Sequence, residues 1–200
     1  MKKLLILVAA AMMATMSVNA QEDYEKSKHE IVVSYGYLST SQWFNAFIMD
    51  DNILEGLDPV KVSNIGPLSA EYFYNVKTWL GVGAIFSFGQ VTSKYNRTTD
   101  NAEVYTNKNT SYTVMPAVKF NWFRTAHFGM YSKLGVGVIF CDMKAIPVDP
   151  ADRTEKELRI GFNWQASLLG IEFGGTHFRG FLEGGVGEQG VVLGGFRYKF

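Results

Sequence analysis

The sequence contains little of what marks several common classes of protein. It has one cysteine, Cys141, so it can form no internal disulfide. Only 19% of its 200 residues are charged, and the 19 Lys and Arg residues equal the 19 Asp and Glu residues in number. A nucleic-acid-binding protein would show a basic excess gathered on one face, so this balance argues against that class. After residue 20, no stretch approaches the roughly 20 apolar residues of a membrane-spanning helix.

The residues that are abundant point to a folded β protein. The chain is 47% hydrophobic and 14% aromatic and contains 20 glycines, a composition that argues against disorder. Its length suits one domain, since roughly 100–200 residues per domain is typical. Two classes remain, which are a soluble β protein and a membrane β-barrel.

The first 20 residues predict an exported protein. Lys2 and Lys3 precede an apolar run over residues 4–13, and Val18-Asn19-Ala20 is a small-residue cleavage site. This pattern is typical of a secretory signal peptide, with cleavage expected after Ala20. The apolar run is too short for a membrane anchor. Gln21 follows the cleavage site where a lipoprotein would have cysteine.

Alternation of apolar and other residues recurs along the rest of the chain and predicts strands with two different faces. The eight predicted strands lie roughly at 30–38, 66–75, 79–93, 110–123, 127–141, 157–173, 177–186 and 190–200. In the fourth, Tyr112, Val114 and Trp122 share one face, although Pro116 removes a ladder donor in mid-strand.

The connections between these strands alternate in length. Long loops are predicted at 39–65, 94–109 and 142–156, and tight turns at 75–78, 124–126 and 174–176. Outer-membrane barrels have short periplasmic turns and long extracellular loops. The pattern therefore predicts an eight-stranded antiparallel up-and-down transmembrane β-barrel over residues 30–200, with residues 21–29 as a periplasmic lead after the signal peptide at 1–20.

Charged residues fall on the strand face opposite to the large apolar residues. Those expected in the barrel interior are Glu71, Lys119, Lys133, Arg159, Glu172, Arg179, Glu183, Arg197 and Lys199. A Lys or Arg facing lipid at the midplane costs roughly 2–4 kcal/mol, so these side chains should point inward. Glu172 joins the set if Gly170 forms a β-bulge that restores the alternation.

Two interpretations of this interior charge network remain open. It could be a polar conduit lined with positive charge, or a salt-bridged plug. The interior of an eight-stranded barrel is only wide enough for side chains to fill it, which favours the plug. Glu71 and Glu183 are the acids expected to bridge the basic residues.

The first long loop contains a second candidate site, which is an apolar contact surface. Trp43, Phe44 and Phe47 would form an apolar stripe on a short helix that starts at a Ser41 N-cap. Such a helix could lie on the outer leaflet, contact a partner or cap the barrel mouth. The other long loops are polar surfaces suited to binding, but no motif in them indicates a particular ligand.

Nothing in the sequence indicates catalysis. His29, His127 and His177 all lie at the predicted periplasmic end, far from the outer loops. A nucleophile needs a base within hydrogen-bond reach, and no such set is visible. No His, Cys or carboxylate spacing matches a recognised metal site. We therefore expect no catalytic residues, no cofactor and no metal.

The C-terminus adds a family resemblance. Tyr198-Lys199-Phe200 ends a strand of alternating aromatics and resembles the C-terminal signature of bacterial outer-membrane proteins. In that class the barrel-assembly machinery reads this motif, so the resemblance implies that Tyr198 and Phe200 are an assembly signal and that this machinery is a partner during biogenesis.

The whole of 30–200 resembles the small eight-stranded outer-membrane β-barrel proteins. Segments such as Ala70-Glu71-Tyr72-Phe73-Tyr74 are similar to barrels of Bacteroidota-type bacteria. The resemblance implies an outer-membrane location, outer-membrane lipid as a partner and no nucleic acid. It implies a structural, envelope-integrity or surface-interaction role through the loops. A narrow channel for small solutes or ions, and a lipid A-modifying enzyme, are the alternatives.

Overall fold

The computed structural model describes residues 27–42, 57–97, 103–147 and 155–200. They form eight antiparallel strands in a closed barrel, in which each strand pairs with its neighbours in chain order and β8 returns to β1. The strands are β1 His29–Tyr37, β2 Leu57–Lys77, β3 Leu80–Arg97, β4 Glu103–Arg124, β5 Phe128–Pro147, β6 Glu155–Gly174, β7 Phe178–Gly187 and β8 Val192–Lys199. The predicted fold is confirmed. No helix within these ranges is long and apolar enough to cross a membrane.

The barrel is apolar outside and polar inside, the reverse of a soluble protein. Leu168 is 73% exposed and Trp122 69%, whereas Lys119 and Arg197 are fully buried. Along β1 the alternation is strict, since Ile31 and Val33 point outward and Val32 between them is buried. Such an outer surface is stable only against lipid, which accounts for the alternation in the sequence.

The strands reach farther beyond the outer end of the barrel than predicted. Much of the segments 94–109 and 142–156, expected to be loops, is strand in β3 to β6, and β2 begins at Leu57. In these extensions both faces carry polar residues, so the apolar alternation fades although backbone pairing continues, as between Lys94 and Thr106. The predicted boundaries followed side-chain pattern and were wrong for this reason.

Strand lengths are unequal around the barrel. β7 ends at Gly187, beside Gln165 of β6, and β8 begins at Val192, beside Tyr37 at the end of β1. The outermost pair between β1 and β2 joins Tyr35 and Leu68. β2 to β6 continue past this rim. We call the parts of β2 to β6 beyond Leu68 and Gln165 the projecting sheet.

The bulge predicted at Gly170 lies two residues earlier. The register shifts between Ser167 and Leu169, so Leu168 and Leu169 both face outward. Glu172 consequently turns inward, as the prediction required. Gly170 itself is buried against the ring of Tyr131, which lies 2.3 Å from the position that a Cβ atom would take.

We expect Gly170→Ala to destabilise the barrel by about 1–3 kcal/mol, because the added methyl group overlaps a buried aromatic ring. Urea unfolding of the protein folded into lipid vesicles measures this difference. Gly161→Ala is the matched control, since its new Cβ would meet Ile139 at an ordinary 3.4 Å. Equal unfolding midpoints for the two variants would contradict the packing of Tyr131 against Gly170.

Candidate functional site: the lumen charge network

Buried charges fill the barrel lumen. We call these residues the lumen network: Glu30, Glu71, Lys119, Lys133, Glu172, Arg179, Glu183, Arg197 and Lys199. Each is at most 2% exposed. Each comes from an inward position of its strand, where the period-2 geometry turns every second side chain into the barrel.

The lower half of the lumen network lies near the short turns and is organised by two carboxylates. Glu172 accepts hydrogen bonds from Arg197, Lys199 and Arg179, the last at 2.8 Å. Glu30 accepts one from Lys119 and forms an ion pair with Arg197, whose Nε lies 3.3 Å from Glu30 Oε2. Opposite charges held this closely offset the large cost of removing each from water.

Arg179 also ties the lumen network to the turns. Its guanidinium donates to the carbonyl oxygens of Thr125 at 2.6 Å and Ala126 at 2.7 Å, and its Nε donates to Gly175 at 3.0 Å. One side chain thus links the β4–β5 turn to the β6–β7 turn. These bonds satisfy carbonyl groups of the turns at the short-turn end of the lumen.

The upper half is organised by one cation between two acids. Lys133 Nζ lies 2.6 Å from Glu71 and 2.9 Å from Glu183. Tyr131 donates to Glu183 at 2.8 Å, and Ser167 donates to the other oxygen of the same carboxylate. The structure therefore brings together the two acids and the lysine that the sequence placed in the interior.

Aromatic rings separate the two halves. The guanidinium of Arg197 lies 4.4 Å from the ring centroid of Tyr131 and 5.2 Å from that of Phe181. Lys119 Nζ lies 5.5 Å from the Tyr131 ring. A desolvated cation over an aromatic face is stabilised by the ring quadrupole. The Tyr131 ring therefore stabilises Arg197 and Lys119 of the lower half, while its hydroxyl donates to Glu183 of the upper half.

The outer end of the lumen is closed by the short β7–β8 turn. Gln189 is fully buried and donates from Nε2 to Glu71 at 2.6 Å, while its backbone N–H donates to Gln165 at 2.8 Å. Glu188 accepts hydrogen bonds from the side chains of Thr40 and Ser41, at 3.0 and 2.8 Å. The turn therefore folds over the mouth and joins the start of the first outer loop.

One predicted member of the network is elsewhere, and this is a correction. Arg159 is exposed and pairs with Glu157 at 2.8 Å in the projecting sheet. It has the inward parity, but β7 ends at Gly187 beside Gln165, so at Arg159 there is no closed lumen to enter.

Several residues of this site were not singled out from the sequence. Glu30 was placed in the first strand but not in the interior, although it shares the parity of Val32, and both are fully buried. The alternation of side chains along β1 would have been enough to place Glu30 in the interior. No sequence pattern places Gln189 there, because its position depends on how the β7–β8 turn folds over the mouth of the lumen.

The remaining predicted site residues lie away from the lumen or outside the described residues. Tyr198 and Phe200 lie on the outside of the barrel at its short-turn end, with ring centroids 5.8 Å apart. Trp43, Phe44 and Phe47 lie outside the described residues, as do the predicted signal peptide and most of the periplasmic lead. Within the described ranges, no group of three or more His, Cys, Asp or Glu residues could hold a metal ion.

Fold and surface together define a small eight-stranded β-barrel of the outer-membrane type, with a filled lumen.

Comparison with known proteins adds only structural likeness. No protein-family model and no curated protein matches the chain. Two similar solved structures are of Ail, the attachment invasion locus protein of Yersinia pestis. One, in complex with the heparin analogue sucrose octasulfate, has 14% identity and a TM-score of 0.42; the other has 15% and 0.41. Each alignment covers 87% of this chain and 97% of Ail. A likeness of this size carries no argument about function.

We expect Glu172→Gln to cost about 3–5 kcal/mol of stability, because it leaves buried cations without their carboxylate. Urea unfolding in lipid vesicles measures the loss. Glu157→Gln is the control, since Glu157 pairs with Arg159 in the exposed part of β6 and its loss should change little. Equal stability of the two variants would show that the lumen pairs are not what holds the barrel together.

Proposed function

We propose that this protein is a non-catalytic outer-membrane barrel with a sealed lumen, which presents the projecting sheet to a partner at the cell surface. The observation that carries the proposal is the inequality of the strands. β2 to β6 continue beyond the rim at which β7, β8 and β1 end, and this leaves an edge on β6.

The β6 edge has the features of a strand-pairing surface. The carbonyl of Trp164 accepts from Glu188, and its N–H bonds to the side chain of Asn163, so Trp164 points its backbone groups away from β5. Backbone direction alternates along an antiparallel strand, so Leu158, Ile160 and Phe162 point theirs the same way. Among the described residues, no strand pairs with this side of β6 between Glu155 and Asn163.

The side chains along this edge are apolar and exposed on the outside of the barrel. Leu158, Ile160 and Phe162 are 66%, 65% and 74% exposed. An exposed strand edge binds an extended segment through main-chain hydrogen bonds, and alternate side chains add specificity. A partner that presents an extended strand therefore fits this edge.

The filled lumen supports this role over a channel. The lumen network is at most 2% exposed and Gln189 closes the outer end. The interior of an eight-stranded barrel has room for side chains or one small ligand, but not for an aqueous channel as well.

The positions of the histidines support a non-catalytic role over lipid modification. His29 contacts the Tyr72 hydroxyl at 2.7 Å and stacks on Phe200, and His127 bonds to the Gly174 carbonyl at 3.0 Å. The first ring contacts aromatic side chains and the second a backbone carbonyl, so neither contact pairs a base with a nucleophile.

We expect no steady ohmic conductance when the purified protein is inserted into planar bilayers, because the lumen network leaves no continuous water path. A paired measurement on Gln189→Gly, which removes the side chain over the outer mouth, should also be silent, since the charge pairs below remain. Regular single-channel openings of the parent protein would favour the transport alternative.

The test of the β6 edge is Ile160→Pro in a deletion strain, with adhesion to surfaces and other cells as the measurement. Proline removes an N–H that points to the free side, so pairing with β5 is retained. We expect adhesion to fall to the level of the deletion strain. Ile160→Ala is the control that keeps the N–H, and heat-modifiable gel mobility verifies folding of each variant.

Two outcomes would contradict the edge proposal. Parental adhesion by Ile160→Pro would show that the edge is not the contact surface. A permeability defect in the deletion strain that Ile160→Pro fully corrects, with no adhesion difference between the strains, would favour an envelope-integrity role.

A further inference from the structure

On the outer face of β3 to β6, the type of side chain changes from apolar to charged at the same height on neighbouring strands. One rung of the barrel, which we call the apolar rung, joins Phe88, Tyr112, Phe140 and Ile160 as direct cross-strand neighbours. The rings of Phe88 and Tyr112 lie 5.4 Å apart. Aromatic and apolar residues at this height are typical of the upper boundary of a lipid-facing band, so the β6 edge lies at the level where that band ends.

Four residues farther toward the outer end of β4, β5 and β6, the same face carries lysines. Lys108 of β4 pairs with Lys144 of β5, and Lys144 pairs with Lys156 of β6. We call these three residues the lysine rung. Lys94 of β3 lies one alternate position above it, beside Thr106. Three adjacent strands therefore place like charges directly opposite one another.

This arrangement is unfavourable unless something neutralises it. Directly opposed side chains have Cβ atoms roughly 4.5–5.5 Å apart, and like charges in such pairs are destabilising. Asp142, on the same face, pairs with Lys144 at 2.9 Å. Among the side chains that the structure describes on this face, one carboxylate stands against three ammonium groups, and this net positive charge favours an anion that can contact more than one lysine at once.

The height of the lysine rung indicates where that anion belongs. Four strand residues span about 13 Å, or about 10 Å along the axis of a barrel whose strands tilt by 35–45°. The rung thus lies above the apolar rung, in the polar layer over the outer leaflet, and faces outward toward neighbouring lipids. An anionic group of a membrane lipid is placed to reach it.

We propose that Lys108, Lys144 and Lys156 form a binding site for the phosphate groups of an outer-leaflet glycolipid. A phosphate offers several acceptor oxygens and more than one unit of charge, which suits adjacent ammonium groups. The inner side of the sheet at this height carries the Glu157–Arg159 pair, which is already neutralised, so the charge excess is on the lipid-facing side. The proposal rests on the outer-membrane orientation given above, not on the β6 edge.

The test is binding of purified lipopolysaccharide to the detergent-folded full chain, compared with the same glycolipid after enzymatic dephosphorylation. Lys108→Gln/Lys144→Gln should weaken binding at least tenfold relative to the parent. Lys108→Arg/Lys144→Arg should retain it, since the charge is kept. Dephosphorylated glycolipid should bind the parent as weakly as phosphorylated glycolipid binds the glutamine variant.

Lys28→Gln/Lys77→Gln is the matched control, because it removes two exposed lysines at the periplasmic end and should bind as the parent does. Equal binding by the two glutamine double variants would overturn the proposal, as would equal binding of the two glycolipid forms. Tight binding of soluble heparin with no binding of lipopolysaccharide would also overturn it and assign the lysine rung to a sulfated polysaccharide. None of these results depends on strand pairing at β6.

Discussion

The pairing of charges inside a closed sheet is the constraint on which the rest of the structure depends. A barrel in lipid has no apolar core of ordinary size, and in this one the lumen is filled by cations and carboxylates. Glu30 and Glu172 gather Lys119, Arg197 and Lys199, and no member of this group could be buried without the others. Removing one partner of a buried pair leaves an uncompensated charge. The interior is therefore one cooperative unit rather than a set of independent contacts.

Small residues make room for these long side chains. Gly129, whose added Cβ would lie 2.7 Å from Glu172, and Gly81, near Lys119, share the inward face with the charges. Tyr131 then occupies the middle of the lumen because Gly170 has no side chain. The sequence thus alternates large and small residues across the lumen, which lets an eight-stranded barrel be packed rather than hollow.

Much of the barrel was predictable because lipid enforces alternation. Lys119, Lys133 and Arg197 were placed inside by parity alone, and the structure puts them there. Parity fails where a residue rises above the closed part of the barrel. Arg159 has the inward parity, but among the described residues no strand of β7 or β8 reaches its height. The outermost part of the projecting sheet, in the segments 94–109 and 142–156, was read as loop because both of its faces carry polar residues there. Gln189 depends on a turn conformation that alternation does not encode.

The two ends of the barrel differ in the contacts that close them. The short-turn end is tied together by Arg179 and by the stacking of His29 on Phe200. At the other end Gln189 closes the lumen, and among the described residues no strand pairs with the free side of β6 beyond Gln165. The filled lumen and the projecting sheet are the two features on which the proposed surface role rests.

The inward and outward assignment of side chains is tested most directly by cysteine labelling in lipid vesicles, with Cys141 replaced by serine. Ser69 is 1% exposed and its neighbour Ala70 points outward. We predict that Ser69→Cys reacts with neither a water-soluble nor a membrane-soluble maleimide, and that Ala70→Cys reacts with the membrane-soluble reagent alone. Labelling of Ser69→Cys from the lipid phase would contradict the account.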